Sequence, residues 1–233
     1  MKLNEAKVLV TGGSSGIGLE TARRLQARGA RVAICGRQRE RLDRAAADFD
    51  CVPIQADVGV ERDVVRLVET VVRELDGYNV LINNAAYGYM ARLTDIDLAA
   101  FERMMAVNLT GTMLVGRESA RHFVEQGRGN IINVGSSASR RGYAAGTPYV
   151  ASKFALRGMT ECWRAELRPH DVRVMQVDPS EVLTGFAAAA GRAQTTSERK
   201  LRASEIAHMI VSMLEMDDRG FTTEVAIWAT NPD

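Results

Sequence analysis

Short apolar runs alternate with longer amphipathic stretches along this chain. Val8-Leu9-Val10 reads as a buried strand. A helix is predicted from about Gly16 to Arg28, stopped at Gly29, where glycine accepts the left-handed conformation that ends helices. Val32-Ala33-Ile34-Cys35 is the next strand, followed by a charged helix over Arg39 to Phe49. Val52-Pro53-Ile54 leads into Ala56-Asp57-Val58, and a helix is predicted near Glu61 to Leu75. There Val64, Val65, Leu67, Val68, Val71, Val72 and Leu75 fall mostly on one wide face. Val80-Leu81-Ile82 is a fourth strand, Ile131 to Val134 a fifth, Val172 to Val177 a sixth and Glu224 to Ala229 a seventh. Thr184 to Lys200 is the least regular stretch, fitting a helical lid or a loop. Strands and helices in alternation predict a doubly wound α/β fold, with a seven-stranded, mostly parallel sheet covered on both faces. No repeat or Pro/Ser-rich linker interrupts it, so one domain over residues 1–233 is the simplest organisation.

Composition narrows the partners. The 233 residues are 46% hydrophobic and 25% charged, with a net charge of +1, and no basic or acidic tail stands out. Nucleic acid and membrane partners are therefore not expected. Cys35, Cys51 and Cys162 show no CxxC spacing, which argues for a reducing, cytoplasmic setting. His122, His170 and His208 lie far apart, so no metal site is expected. The start of the chain lacks a signal-peptide core, and no apolar run is long enough to span a bilayer.

Two stretches carry candidate chemistry. TGGSSGIG, Thr11 to Gly18, follows the first strand and opens the first helix. A glycine-rich turn there lets backbone approach a pyrophosphate, and the helix N-terminus offers unpaired N–H groups. No Lys-Ser or Lys-Thr follows the last glycine, so it is not a P-loop. YVASK puts Tyr149 and Lys153 four residues apart, one helical turn on the same face. A nearby ammonium favours the phenolate, and a phenol tuned in this way exchanges protons. Lysine is rare here, with most of the 30 basic residues arginine, so the position is not filled merely for charge.

With these motifs the chain resembles the short-chain dehydrogenase/reductase family over nearly its whole length. TGGSSGIG is similar to the family's TGxxxGxG loop, Asp57-Val58 to its adenine-contacting pair, and Asn83-Asn84-Ala85-Ala86 to its NNAG. Asn108 falls where the family places a catalytic asparagine. Ser136 stands thirteen residues before Tyr149, Tyr149 and Lys153 match YxxxK, and PSEVLT from Pro179 to Thr184 resembles the PGxxxT segment over the nicotinamide. The resemblance implies a Rossmann-type dinucleotide-binding oxidoreductase working on a small carbonyl or alcohol. Tyr149 would be the general acid or base, and Lys153 would lower its pKa and hold the ribose. Ser136 would bond the substrate oxygen, and Asn108 would anchor a relay water. Gly12, Ser14, Ser15, Gly16, Ile17, Gly18, Asp57, Val58, Asn84, Ala85, Tyr149, Lys153, Pro179, Val182 and Thr184 would contact the cofactor. A homodimer or homotetramer pairing through helices near Phe101 to Gln126 and Tyr149 to Arg168 is also implied.

Ser137 competes with Ser136, and the spacing favours Ser136. GSSAS does not complete a hydrolase GxSxG. A nucleotide-sensing regulatory protein on the same fold is the main alternative; an isomerase or dehydratase is a third. Ala86 and Ser180 replace family glycines, and strain is expected where glycine dihedrals were needed. At the end of the second strand Gly36 and Arg37 stand where an NAD-selective protein carries a carboxylate. Arg37, assisted by Arg39 or Arg41, suits the 2′-phosphate of NADP(H). Tyr87, Tyr89, Met90, Tyr143 and Phe186 are candidates for an apolar pocket. Arg140 and Arg141 are read as a solvated loop, with contact to an acidic substrate the sharper alternative.

Overall fold

The structure, a computed structural model, describes residues 1–186 and 198–231. Seven strands form one sheet: β1 (Lys7–Thr11), β2 (Arg31–Gly36), β3 (Val52–Gln55), β4 (Val80–Asn83), β5 (Gly129–Val134), β6 (Val172–Pro179) and β9 (Glu224–Ile227), in the order β3-β2-β1-β4-β5-β6-β9. Every neighbouring pair is parallel, where the pattern predicted a mostly parallel sheet. β7 (Val182–Leu183) and β8 (Leu201–Arg202) pair separately; two residues each is too short for a periodic signal.

Alternation along each strand divides the core. Val8 and Val10 face one side of the sheet with Val32 and Ile34, against Ala22 and Leu25 of α1 (Gly16–Ala27) and Leu42 of α2 (Arg39–Asp48). Ile206, Ile210 and Leu214 of α7 (Ala203–Glu215) complete that layer. Leu9 and Ala33 face the opposite way, onto Val64, Leu67 and Val71 of α3 (Glu61–Glu74) and Val115 and Phe123 of α5 (Thr112–Glu125). Strands buried on both faces are continuous apolar runs, and the strand pattern follows from this. Helix α7 was not anticipated, although its apolar residues recur at helical spacing.

The stretch expected as one long helix near Phe101 to Gln126 is helical throughout, with a change of winding inside it. Helix α4 (Leu98–Met105) passes into a π-helical turn, Ala106–Gly111, before α5. Gly111 permits this, because a Cβ there would meet the Val58 carbonyl at 3.0 Å. Such turns re-aim a helix and cluster at functional sites; this one carries Asn108. Helix α6 (Thr147–Leu167) carries Tyr149 and Lys153, as expected for a helix near Tyr149 to Arg168. Of the irregular stretch Thr184 to Lys200, residues 187–197 lie outside the described residues.

The strand order reverses between β1 and β4, and their C-terminal ends open the crevice that such sheets use for ligands. Helix α1 approaches closely there: a Cβ on Gly18 would lie 2.5 Å from both the Gly12 carbonyl and Asn84 Nδ2. Gly18→Ala is expected to destabilise the fold by about 1–3 kcal/mol through overpacking against backbone. Urea unfolding measures it, and an unchanged midpoint would show that α1 yields at no cost.

Candidate active site

The first loop is built on glycines that need their freedom. Gly12 and Gly16 take φ of 64° and 55°, a region costly for other residues. Thr11 Oγ1 accepts the amides of Asn84 at 2.9 Å and Ala85 at 3.0 Å, and Asn84 Nδ2 donates back to the Thr11 carbonyl at 3.0 Å. The loops after β1 and β4 are thereby stitched together. Ser15 stands at the N-cap of α1, but its side chain makes no capping bond. The first amides of α1 keep donors for an anion, with the helix dipole behind them.

These loops border a cleft of about 1290 Å³. Gly12, Ser14, Ser15, Gly16, Ile17, Arg37, Asp57, Val58, Asn84 and Ala85 line one side; Ser136, Tyr149, Lys153, Pro179, Val182 and Thr184 line the other. Gly18 is not in the wall: its role is the close packing described above. Arg41 reaches the wall beside Arg37. Arg39 does not, since it pairs with Asp43 at 2.8 Å. Asp57 lines the cleft and also caps its own turn, taking the Gly59 amide at 2.9 Å. Neither Ala86 nor Ser180 has a positive φ, so the strain expected at these replacements is absent.

Tyr149 and Lys153 project from one face of α6. Lys153 Nζ donates to the Val134 carbonyl at 2.9 Å and lies 5.8 Å from the Tyr149 ring centroid. Of the two adjacent serines, Ser136 is the one whose side chain is close enough to the Tyr149 phenol to bear on its pKa. The expected direction of the tyrosine pKa is corrected. Burial pushes Tyr149 up, against the Ser136 hydrogen bond, and Tyr143 and Asp178 add to the rise. Burial also brings Lys153 down to about 8, with Asp178 opposing. In a desolvated site the penalty on charge outweighs the attraction between the two groups.

Asn108 lies behind the wall. Its Oδ1 accepts the Tyr87 amide at 2.7 Å, and its Nδ2 donates to the Tyr87 carbonyl at 2.9 Å and to Ser152 Oγ at 3.2 Å. The carboxamide therefore clamps the loop after β4 to the π turn and α6. Tyr87, Met90, Tyr143 and Phe186 line the cleft. Tyr89 does not; its hydroxyl takes the Asp97 amide at 2.8 Å.

Sequence reasoning passed over Asp178. Its Oδ1 accepts the Ser136 amide at 2.9 Å and Gln176 Nε2 at 2.8 Å. Gly135 has no side chain because a Cβ there would collide with this oxygen. Asp178 Oδ2 is buried without a hydrogen-bond partner. Burial raises Asp178, the Gln176 hydrogen bond opposes, and Glu224 raises it further. Burial would also raise Glu224, but Asp178, a hydrogen bond from Arg157 and the charges of Arg140 and Arg157 leave it lowered. Arg140 binds Glu224 at 2.8 Å and approaches Asp178 at 3.5 Å, so it is a structural tie, although its side chain stays exposed as expected for a solvated loop. The available signal was a carboxylate directly after the apolar end of a strand run, where burial demands partners.

Asp178→Ala would strand the Ser136 amide and Gln176, a cost of about 1–3 kcal/mol. Asp178→Asn retains the acceptor oxygen and is expected to lose clearly less in urea unfolding. Equal losses would show that acceptor geometry is not what the carboxyl supplies.

Comparison with known proteins agrees with this geometry. The family model described as short chain dehydrogenase matches residues 6–195. An uncharacterized oxidoreductase of Bacillus subtilis is 34% identical over 193 residues, covering 79% of this chain and 54% of that protein, so the match spans about half the relative's length. A 3-ketoacyl-(acyl-carrier-protein) reductase from Brucella melitensis, solved with NADH, superposes with a TM-score of 0.91 at 25% identity over 98% of both chains. An alcohol dehydrogenase from the archaeon Thermococcus sibiricus, solved with 5-hydroxy-NADP, has a TM-score of 0.89 at 26% identity over 97% of both. A glycine-built crevice at the strand-order reversal and a tyrosine, lysine and serine gathered at its base thus coincide with matches of sequence and fold: the chain is an oxidoreductase of the short-chain dehydrogenase/reductase family.

Proposed function

We propose that the protein catalyses reversible, NADP(H)-dependent interconversion of a carbonyl compound and its alcohol. The Ser136 hydroxyl, the Tyr149 phenol and the Lys153 ammonium, one helical turn from Tyr149, lining one cleft carry this reading. The uncapped start of α1 and the positive-φ glycines fit a pyrophosphate, so Gly12, Ser14, Ser15, Gly16 and Ile17 would hold that part of the cofactor. Asp57 and Val58 would meet the adenine; Pro179, Val182 and Thr184 would cover the nicotinamide. The cofactor, when bound, supplies or takes up the hydride.

The chain's own groups handle the proton. Burial keeps the Tyr149 phenol protonated, the state a general acid needs for reduction. As its proton passes to the carbonyl oxygen, the Ser136 hydroxyl donates to the charge developing nearby. The Lys153 ammonium favours the phenolate left behind, and a lysine near 8 exchanges its own proton readily around neutral pH. Asp178 holds Ser136 in register, and Asn108 fixes the wall through Tyr87.

Relatives have been solved with NADH and with an NADP derivative, so selection rests on this chain's residues. Gly36, Arg37 and Arg41 form the cleft wall at the end of β2. Two guanidinium groups and no carboxylate at that end favour a 2′-phosphate.

Tyr149→Phe retains the ring and removes the proton. Turnover is expected to fall at least about a hundredfold, with NADPH binding largely retained. Near wild-type turnover, with chemistry limiting, would refute the assignment. For the cofactor, one charged hydrogen bond is worth about 1.5–3 kcal/mol, so NADPH should bind roughly ten- to a hundredfold tighter than NADH. Gly36→Asp with Arg37→Ala should reverse the order. Space exists for the new side chain, because the atom nearest a Cβ there is Ser14 Oγ at 3.5 Å. Equal dissociation constants for both cofactors in the parent protein would remove Arg37 from this role.

A further inference from the structure

Arg140 and Arg141, adjacent in sequence, do opposite things. Arg140 turns to β9 and pairs with Glu224. Arg141 turns to the cleft, where its guanidinium carbon lies 4.8 Å from the centroid of the Trp228 ring. Trp228 directly follows β9 and is 52% exposed, a large apolar ring left open in the wall. Its backbone is pinned from behind: Ile227 pairs with Pro179 in the sheet, and its carbonyl accepts the Ser180 amide at 2.8 Å. The Arg140–Glu224 ion pair thus ties together the same two segments that Arg141 and Trp228 bridge on the cleft side. The stacked pair is held from two directions.

A guanidinium lying over an aromatic ring uses its face and leaves its in-plane N–H donors free. Those donors form the fork that matches the two oxygens of a carboxylate. The other charges at this end are already matched. Glu181 pairs with Lys200 at 2.8 Å, Glu224 lies between Arg140 and Arg157, and Asp178 is buried and hydrogen-bonded. Arg141 has no carboxylate partner among the described residues. The cleft that Arg141 lines with Tyr149 is also lined by Tyr143, Phe186, Met90 and Tyr87.

We propose that Arg141, stacked on Trp228, seats a carboxylate of the substrate, so that the protein acts on oxo acids and the matching hydroxy acids with an apolar middle. This rests on the carbonyl-reducing reading of the same cleft. A pre-held guanidinium loses little freedom when the acid binds. Neutral carbonyl compounds forgo the charged bonds and enter as poorer substrates.

The test uses levulinate and its longer homologues, each beside its methyl ester. NADPH consumption is followed with both series. Tryptophan emission of the NADP⁺ complex is titrated with the acids, because Trp228 lies beneath the proposed seat. At least one acid is expected to exceed its ester by about tenfold or more in kcat/KM, the worth of a charged hydrogen bond. The same acid should perturb the emission. Arg141→Gln should raise KM for that acid, bring the acid-to-ester ratio toward one and abolish the emission change. Acids that bind in this way without turnover would uphold the seat and overturn the carbonyl-reducing reading. Esters reduced as well as acids, a ratio unmoved by the substitution, or no acid perturbing the emission would overturn the seat.

Discussion

The Thr11 hydroxyl is a small group on which the whole site depends. It accepts two backbone amides from the loop after β4 while standing at the end of β1. A parallel sheet with its order reversed between these strands must leave their C-terminal loops parting in opposite directions. Donors freed there are costly unless they find partners. Thr11 and Asn84 satisfy them across the gap, and this holds the crevice at a fixed width. The glycine loop, the start of α1 and the wall carrying Ala85 are all placed from that stitch.

The second constraint is burial of charge-bearing groups on the other side of the crevice. Tyr149, Lys153, Asn108 and Asp178 are all inside. Neighbours take up most of their polar atoms: the Val134 carbonyl for Lys153, Tyr87 for Asn108, and the Ser136 amide with Gln176 for Asp178 Oδ1, while Asp178 Oδ2 is left buried without a hydrogen bond. Burial sets the protonation states, pushing the phenol toward its neutral form and easing the proton from the ammonium. The arrangement rests on β6, where Asp178 needs the empty place left by Gly135. The reactive groups are therefore no more mobile than the sheet itself.

The sequence by itself determined the sheet, most of its helices and the reactive pair. Strands buried on both faces must be apolar throughout, and helices between them must be amphipathic, so the alternation is written in single residues. Tyr149 and Lys153 are bound to meet on one face of any helix that contains them, and Gly12 and Gly16 mark backbone that other residues resist. The tertiary structure alone decided what depended on distant neighbours. The π turn that carries Asn108 packs its Gly111 against Val58, a contact outside any local pattern. The parting of Arg140 from Arg141 needed β9 to bring Glu224 and Trp228 beside them, more than 80 residues along the chain. The shifted pKa values of Tyr149, Lys153 and Asp178 followed first from desolvation, which is a property of the packed interior and is carried by no residue alone.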